Sequence, residues 1–250
     1  MDIVIGDGPR AQALRDALAT APAGAHDLVL LCADDYAAAE AALAGQPTGL
    51  DVVNLTSGTS AQARGLARRG RYLDGALMAH PEHVGDPATV IVYSGSEEVF
   101  ERHRERLAVF GKTVYLGPDP GTAALYDLAL LNLAWATLAG FVQTAALLGT
   151  AGVRAAEVAP MLTGWLAGTV SEVVTDYAGQ LDRRRYPGDG EWLELDAPLM
   201  DHLVDTTREL GLDDTLATTV RTLTRRAIDA GHGADSFASL VEVIREPVKP

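Results

Sequence analysis

Short apolar runs punctuate the first half of the chain, at Asp2–Ile5, Asp27–Cys32, Asp51–Asn54, Tyr72–Met78, Thr89–Ser94 and Thr113–Leu116. The early runs are continuously apolar rather than alternating, the pattern of parallel strands buried on both faces. Between them Pro9–Ala19, Tyr36–Leu43, Ser60–Arg69 and Glu97–Phe110 read as helices. Strands alternating with helices predict a doubly wound α/β layer. Gly117-Pro-Asp-Pro-Gly121 breaks the pattern, and everything beyond it reads as helical. A long apolar helix runs from about Thr122 to Thr150, and a second from Ala155 to Asp182. After a polar loop, Arg183 to Gly190, three more follow near Ala197–Leu210, Asp214–Ala230 and Asp235–Ile244. Gly211 and Gly231 stand where helix C-caps belong. The expected division is an α/β domain over 1–118, then a long interdomain helix and a helical domain over 119–250.

The long helix has a peculiarity: no Lys or Arg occurs between Lys112 and Arg154. It is long enough to span a bilayer, but Asp127, Asn132, Thr137, Gln143 and Thr144 would be costly in lipid. Burial inside the protein or a dimer is therefore expected instead. The net charge of -14 argues against nucleic acid and anionic lipid as partners. Cys32 is the only cysteine, so no intramolecular disulfide can form, and it reads as a buried small hydrophobe. No basic stretch followed by an apolar one opens the chain, which predicts a cytoplasmic protein. His80-x-x-His83 has no Asp or Cys complement, so no metal is expected. Arg183-Arg-Arg185 reads as a solvated loop or a clamp for an acidic substrate.

Candidate chemistry begins at Gly6-x-Gly8-x-x-Ala11, directly after the first apolar run. The spacing matches a dinucleotide fingerprint: one glycine for the tight turn, one for close approach of a pyrophosphate, and a small third residue for helix–strand packing. The helix N-terminus then offers amides and a positive dipole end. Gly6 and Gly8 are thus candidate cofactor ligands. Asp7 lies inside the loop and would repel phosphate. Read alone, Asp34 or Asp35 would take the ribose hydroxyls and point to NAD. Asn54 and the Ser57-Gly58-Thr59 turn follow the third strand, at the edge where open α/β sheets bind ligands. Asn54 is a candidate to orient substrate, and Ser57 and Thr59 to touch cofactor; plain turn chemistry is the competing reading. Asp127, a carboxylate in an apolar helix, is costly unless paired or functional. Tyr126 and Tyr177 are candidate proton donors at a substrate pocket.

From Asp27 onward the chain resembles the imine reductases, relatives of the β-hydroxyacid dehydrogenases. The matching blocks include Leu28-Val-Leu-Leu-Cys-Ala-Asp-Asp-Tyr36, Val53-Asn-Leu-Thr-Ser-Gly-Thr59, Tyr72-Leu-Asp-Gly-Ala-Leu-Met78 and Gly121-Thr-Ala-Ala-Leu-Tyr-Asp-Leu-Ala-Leu-Leu131. Asp235–Ile244 resembles the family's last helix. The resemblance implies a Rossmann-like domain, a long interdomain helix and an all-α domain. It also implies an interlocked homodimer whose active site lies between one chain's α/β domain and the other's helices. Asp127 matches the family's helix aspartate near the substrate amine. Trp135, eight residues on, stands where the family commonly has a Tyr or Asp credited with proton donation. An indole N–H cannot supply that proton, but its π-face suits an iminium. Trp165 and His202 fall near positions that line the family's pocket.

One departure concerns the cofactor. The strand resembling Leu28–Cys32 is the family's fourth, so a strand, a helix and a strand are missing before it, with the arginine turn that pairs with the NADPH 2′-phosphate. Thr20–His26 stands in their place. Losing the adenosine half should weaken binding by several kcal/mol, on the order of a thousandfold or more. The expectation from sequence is therefore a truncated Rossmann-like protein, with NADPH binding lost or weak and no cofactor required. It would act on a small imine, iminium or amine in a non-redox step such as cyclisation or isomerisation, with Asp127, Trp135 and Asn54 at the chemistry. The alternatives are an NAD(P)H-dependent imine reductase and a non-catalytic binding protein.

Overall fold

The computed structural model describes residues 3–22, 28–47 and 49–246. The chain divides into two compact units, 1–136 and 137–250, with the boundary inside the long helix.

The first unit is built on a six-stranded sheet whose spatial order follows the chain: β1 (Ile3–Ile5), β2 (Leu28–Leu31), β3 (Asp51–Asn54), β4 (Tyr72–Leu77), β5 (Val90–Gly95) and β6 (Lys112–Tyr115). Neighbours run parallel except β4 and β5, which are antiparallel. The reason is the connection: a short 3₁₀ turn, Pro81–His83, links β4 to β5, and a parallel return would need a helix-length crossover. The helices are α1 (Pro9–Leu18), α2 (Tyr36–Ala44), α3 (Ser60–Leu66) and α4 (Glu97–Leu107). They cover both faces, and β2 divides its side chains between them. Leu28 and Leu30 join Leu14, Val53, Phe100 and Phe110 on one face. Val29 and Leu31 join Tyr36, Leu43, Leu66 and Tyr72 on the other. A continuously apolar strand is what a doubly covered sheet requires.

The shortened front of the sheet leaves a topological mark. α1 lies on the first face, while α2 and α3 lie on the second. Yet β1→β2, β2→β3 and β3→β4 all step the same way across parallel strands. The crossover through α1 therefore has the opposite hand to the other two, and right-handed crossovers prevail by about 98%. α1 lies where it would belong if the chain next stepped outward from β1. It is placed for a strand beyond β1 that the sheet lacks among the described residues, and β1 becomes an edge. The Thr20–His26 segment falls largely on residues 23–27, outside the described residues.

Helix α5 (Gly121–Gly149) is long and apolar enough to cross a membrane by length and composition. Its first turns are buried on the sheet through Ala123, Ala124 and Asp127. Beyond them Leu133, Trp135, Leu138 and Val142 are exposed. In the second unit α6 (Ala155–Trp165) continues through a π turn, Leu166–Val170, into α7 (Ser171–Arg183). Then come α8 (Leu193–Glu209), α9 (Thr215–Ala227) and the short α10 (Leu240–Arg245). Leu193, Ala227, Leu240 and Val243 form a small core among the last three.

Candidate functional site

The glycine loop is set first by packing. Gly6 has φ +142°, and a Cβ there would lie 1.9 Å from the Cys32 carbonyl oxygen. Only glycine fits, because β2 passes directly behind the turn. Cys32 itself is buried, as expected, and burial raises its thiol pKa. Gly8 is the N-cap of α1 with Pro9 following, and no side chain caps the helix. The space over Gly8 is open. Open first-turn amides with a glycine at their mouth fit a pyrophosphate. Asp7 is exposed beside them. Asp35 is committed to capping α2, accepting from the Ala38 N–H at 2.8 Å. β1 is the edge strand, so among the described residues no strand flanks the loop on the side where an adenosine would rest.

At the C-terminal edge of β3, two of the expected residues, Asn54 and Thr59, prove to be engaged within the fold. Thr59 is the N-cap of α3 in a capping box with Gln62, so its hydroxyl serves the helix. Ser57 is exposed. Gly58 presses on Tyr36, where a Cβ would come within 2.3 Å of the ring. Asn54, expected to orient substrate, is 0% exposed. Its Nδ2 donates to Asp74 Oδ1 at 3.0 Å, and its Oδ1 accepts the Thr56 N–H at 3.2 Å.

Asp74 is the residue that sequence reasoning passed over. It stands on β4 in register with Asn54 and is 1% exposed. Tyr72 and Tyr36 also donate to its Oδ1, at 2.6 and 2.9 Å. Burial pushes the Asp74 carboxyl up to about 6; the three hydrogen bonds oppose the shift and the Asp127 charge adds to it. A signal was available: one carboxylate inside the apolar run Tyr72–Met78 must be buried on one face or the other. Ser94, opposite Asp74 on β5, accepts the Ala123 N–H at 2.8 Å and donates to the Pro120 carbonyl at 3.1 Å. This fastens the start of α5 beside Asp74 and delivers Asp127, 8% exposed, to the same place.

The structure thus gathers Asn54 and Asp127 around Asp74. Tyr126 faces outward, and Trp135, two turns beyond Asp127, is 64% exposed. In the second unit Trp165 is exposed at the edge of the π turn, a distortion frequent at functional sites. His202 is exposed on α8. Tyr177 donates to Glu191, and burial raises its phenol pKa, which weakens it as an acid. It lines a cavity of about 860 Å³ with Asp176, Gln180, Arg183, Glu191 and Ser236. No group of metal-ligating side chains occurs among the described residues.

A sheet with an open glycine loop, a long helix bearing one buried aspartate and a helical second unit define a Rossmann-like fold of the nucleotide-binding type. Residues 119–246 match the C-terminal domain of the NADPH-dependent reductive aminase-like family. The chain is 31% identical to an NADPH-dependent reductive aminase of Aspergillus oryzae, over 88% of its own length and 79% of that protein's. It superposes with TM-score 0.90 on a reductive aminase from Aspergillus terreus in complex with NADPH and ethyl levulinate, at 31% identity over 98% of this chain and 99% of that one. The imine reductase of Streptomyces aurantiacus gives 0.89 at 30% identity, over 98% and 99%. The chain belongs to the imine reductase and reductive aminase family.

Proposed function

We propose that this protein is an NAD(P)H-dependent imine reductase that reduces small imines or iminium ions to amines and works as a homodimer. The observation that carries the reading is Asp127, the buried carboxylate that α5 brings to the ligand edge of the sheet. Two of the similar proteins support reduction over the non-redox step expected from sequence: one is named as NADPH-dependent and the other was crystallised with NADPH. The loop at Gly8 and the α1 N-terminus would hold the pyrophosphate. A bound reduced nicotinamide supplies a hydride to the imine carbon. Asp127 places negative charge where a cationic nitrogen is favoured, and the Trp135 π-face offers a second attraction for it. Because Trp135 cannot release a proton, these residues suit a nitrogen that enters already protonated.

Exposed Leu133, Trp135, Leu138, Val142, Met161 and Trp165 support the dimer. Large apolar side chains exposed on each unit are the mark of an interaction surface, and a second copy would bury them.

The edge position of β1 favours a second reading, a non-redox cyclisation or isomerisation with weak NADPH binding. One experiment separates the two. Purified protein is mixed with NADPH and a cyclic imine, and nicotinamide absorbance and amine product are followed together. Reduction predicts one amine formed per NADPH consumed, with a KM for NADPH raised well above micromolar. An altered imine skeleton with NADPH untouched would replace reduction by the second reading.

A further inference from the structure

The carboxylate on β4 carries an inference that rests on the imine-reductase reading and goes beyond it. Asp74 is surrounded by groups from every element packed on it. Tyr36 comes from α2, Tyr72 from its own strand, Asn54 from β3, Ser94 from β5 and Asp127 from α5. Its three hydrogen-bond donors are neutral, and all three converge on Oδ1. The charged group acting on it is another carboxylate. A carboxylate kept only for stability is normally matched with a cation; Asp74 is matched with a like charge, and like-charged pairs in clefts are a mark of function.

We propose that Asp74 is a positioning residue for iminium recognition. It fixes the amide of Asn54, and by adding or withholding a second negative charge beside Asp127 it makes capture of a cationic substrate depend on pH. Burial and Asp127 hold the Asp74 carboxyl at about 6. Below that pH Asp74 is neutral. Above it Asp74 carries a negative charge beside Asp127, and the site attracts a cation more strongly. The substrate is thus held best where the free imine is losing its proton, which extends the working range upward.

The probe is N-methyl-3,4-dihydroisoquinolinium, whose charge is permanent, so any pH dependence belongs to the protein. Its Kd is measured by calorimetry on the full chain from about pH 5 to about pH 7.5. Wild type should tighten about tenfold, the scale of one added charge within a nanometre in a protein interior. Asp74→Asn should give a flat profile, and Asp127→Asn weak binding throughout. Tyr72→Phe keeps the carboxyl but removes a donor that stabilises its anion, so the midpoint should move to higher pH. This variant decides the matter if Asp74→Asn does not fold. A wild type that binds without pH dependence or not at all, a midpoint surviving in Asp74→Asn, or an unmoved midpoint in Tyr72→Phe overturns the proposal. Imine reduction with NADPH is assayed in parallel. Lost reduction with an intact cation profile sinks the reductase reading alone. Active reduction with a flat profile sinks the role of Asp74 alone.

Discussion

Two buried carboxylates stand at opposite ends of β3, and they are treated in opposite ways. Asp51, at its start, is ringed by two arginines and a histidine: Arg71 donates to one oxygen, and Arg102 and His103 reach the other at 2.9 and 2.8 Å. Asp74, beside its end, has only neutral donors and the field of a second carboxylate. Both are almost wholly buried. The first arrangement satisfies a charge and ties α4 to the sheet. The second leaves a charge undecided near neutral pH, at the edge where α/β sheets bind ligands. Burial alone does not say what a carboxylate is for; the sign of its neighbours does.

The contrast can be broken most forcefully at Asp51. Asp51→Ala removes the buried acceptor that Arg71, Arg102 and His103 share, while Glu98 stays within reach of both arginines. It should cost about 3 kcal/mol, the low end for a broken buried pair because both arginines reach solvent. Urea unfolding measures the loss, and cation binding per folded molecule should be unchanged. Asp74→Asn should behave differently. The folded-state carboxyl is raised from 3.8 to about 6, so its contribution to stability is full below the unfolded value and is lost as pH rises through 6. The loss amounts to roughly 3 kcal/mol at most. The amide has no such loss, so the stability of the variant relative to wild type should improve by up to that amount between pH 4 and 7.5. A constant difference between the two unfolding curves would show that Asp74 does not titrate there.

Smaller effects sharpen the same distinction between scaffold and site. Thr59→Ala removes the α3 capping box and should cost about 1 kcal/mol. NADPH affinity, read by fluorescence titration, should stay the same; a large fall would return Thr59 to the cofactor site. Asp119 supplies the exposed control. It meets Arg64 at 2.7 Å and also accepts the Gly121 N–H. Asp119→Ala should give the smallest shift in denaturation midpoint of the four, and that shift should shrink further in salt.

Much of this fold was legible along the chain. The apolar run Asp27–Cys32 became β2, and Tyr36–Leu43 and Pro9–Ala19 became α2 and α1 within a residue or so. Asp127 was legible too, as the one carboxylate in a helix otherwise free of charge over this stretch. Asn54 and Thr59 were found by position and assigned roles toward ligands, but Asn54 is buried against Asp74 and the exposed Thr59 hydroxyl caps a helix. Asp74 was missed because a strand motif shows which residues alternate, not which residue of the next strand each will face.

The sequence by itself determined most of the elements and the acid on the long apolar helix, because periodicity and spacing are local properties of a chain, and its blocks resembled the family to which the chain belongs. The tertiary structure alone decided three further matters. The link between β4 and β5 makes that pair antiparallel. α1 stays on a face set for a missing strand. The β3–β4 register puts Asn54 opposite Asp74, while Ser94 fastens α5 beside them. Each depends on residues distant in the chain meeting at one place, and only the folded sheet brings them there.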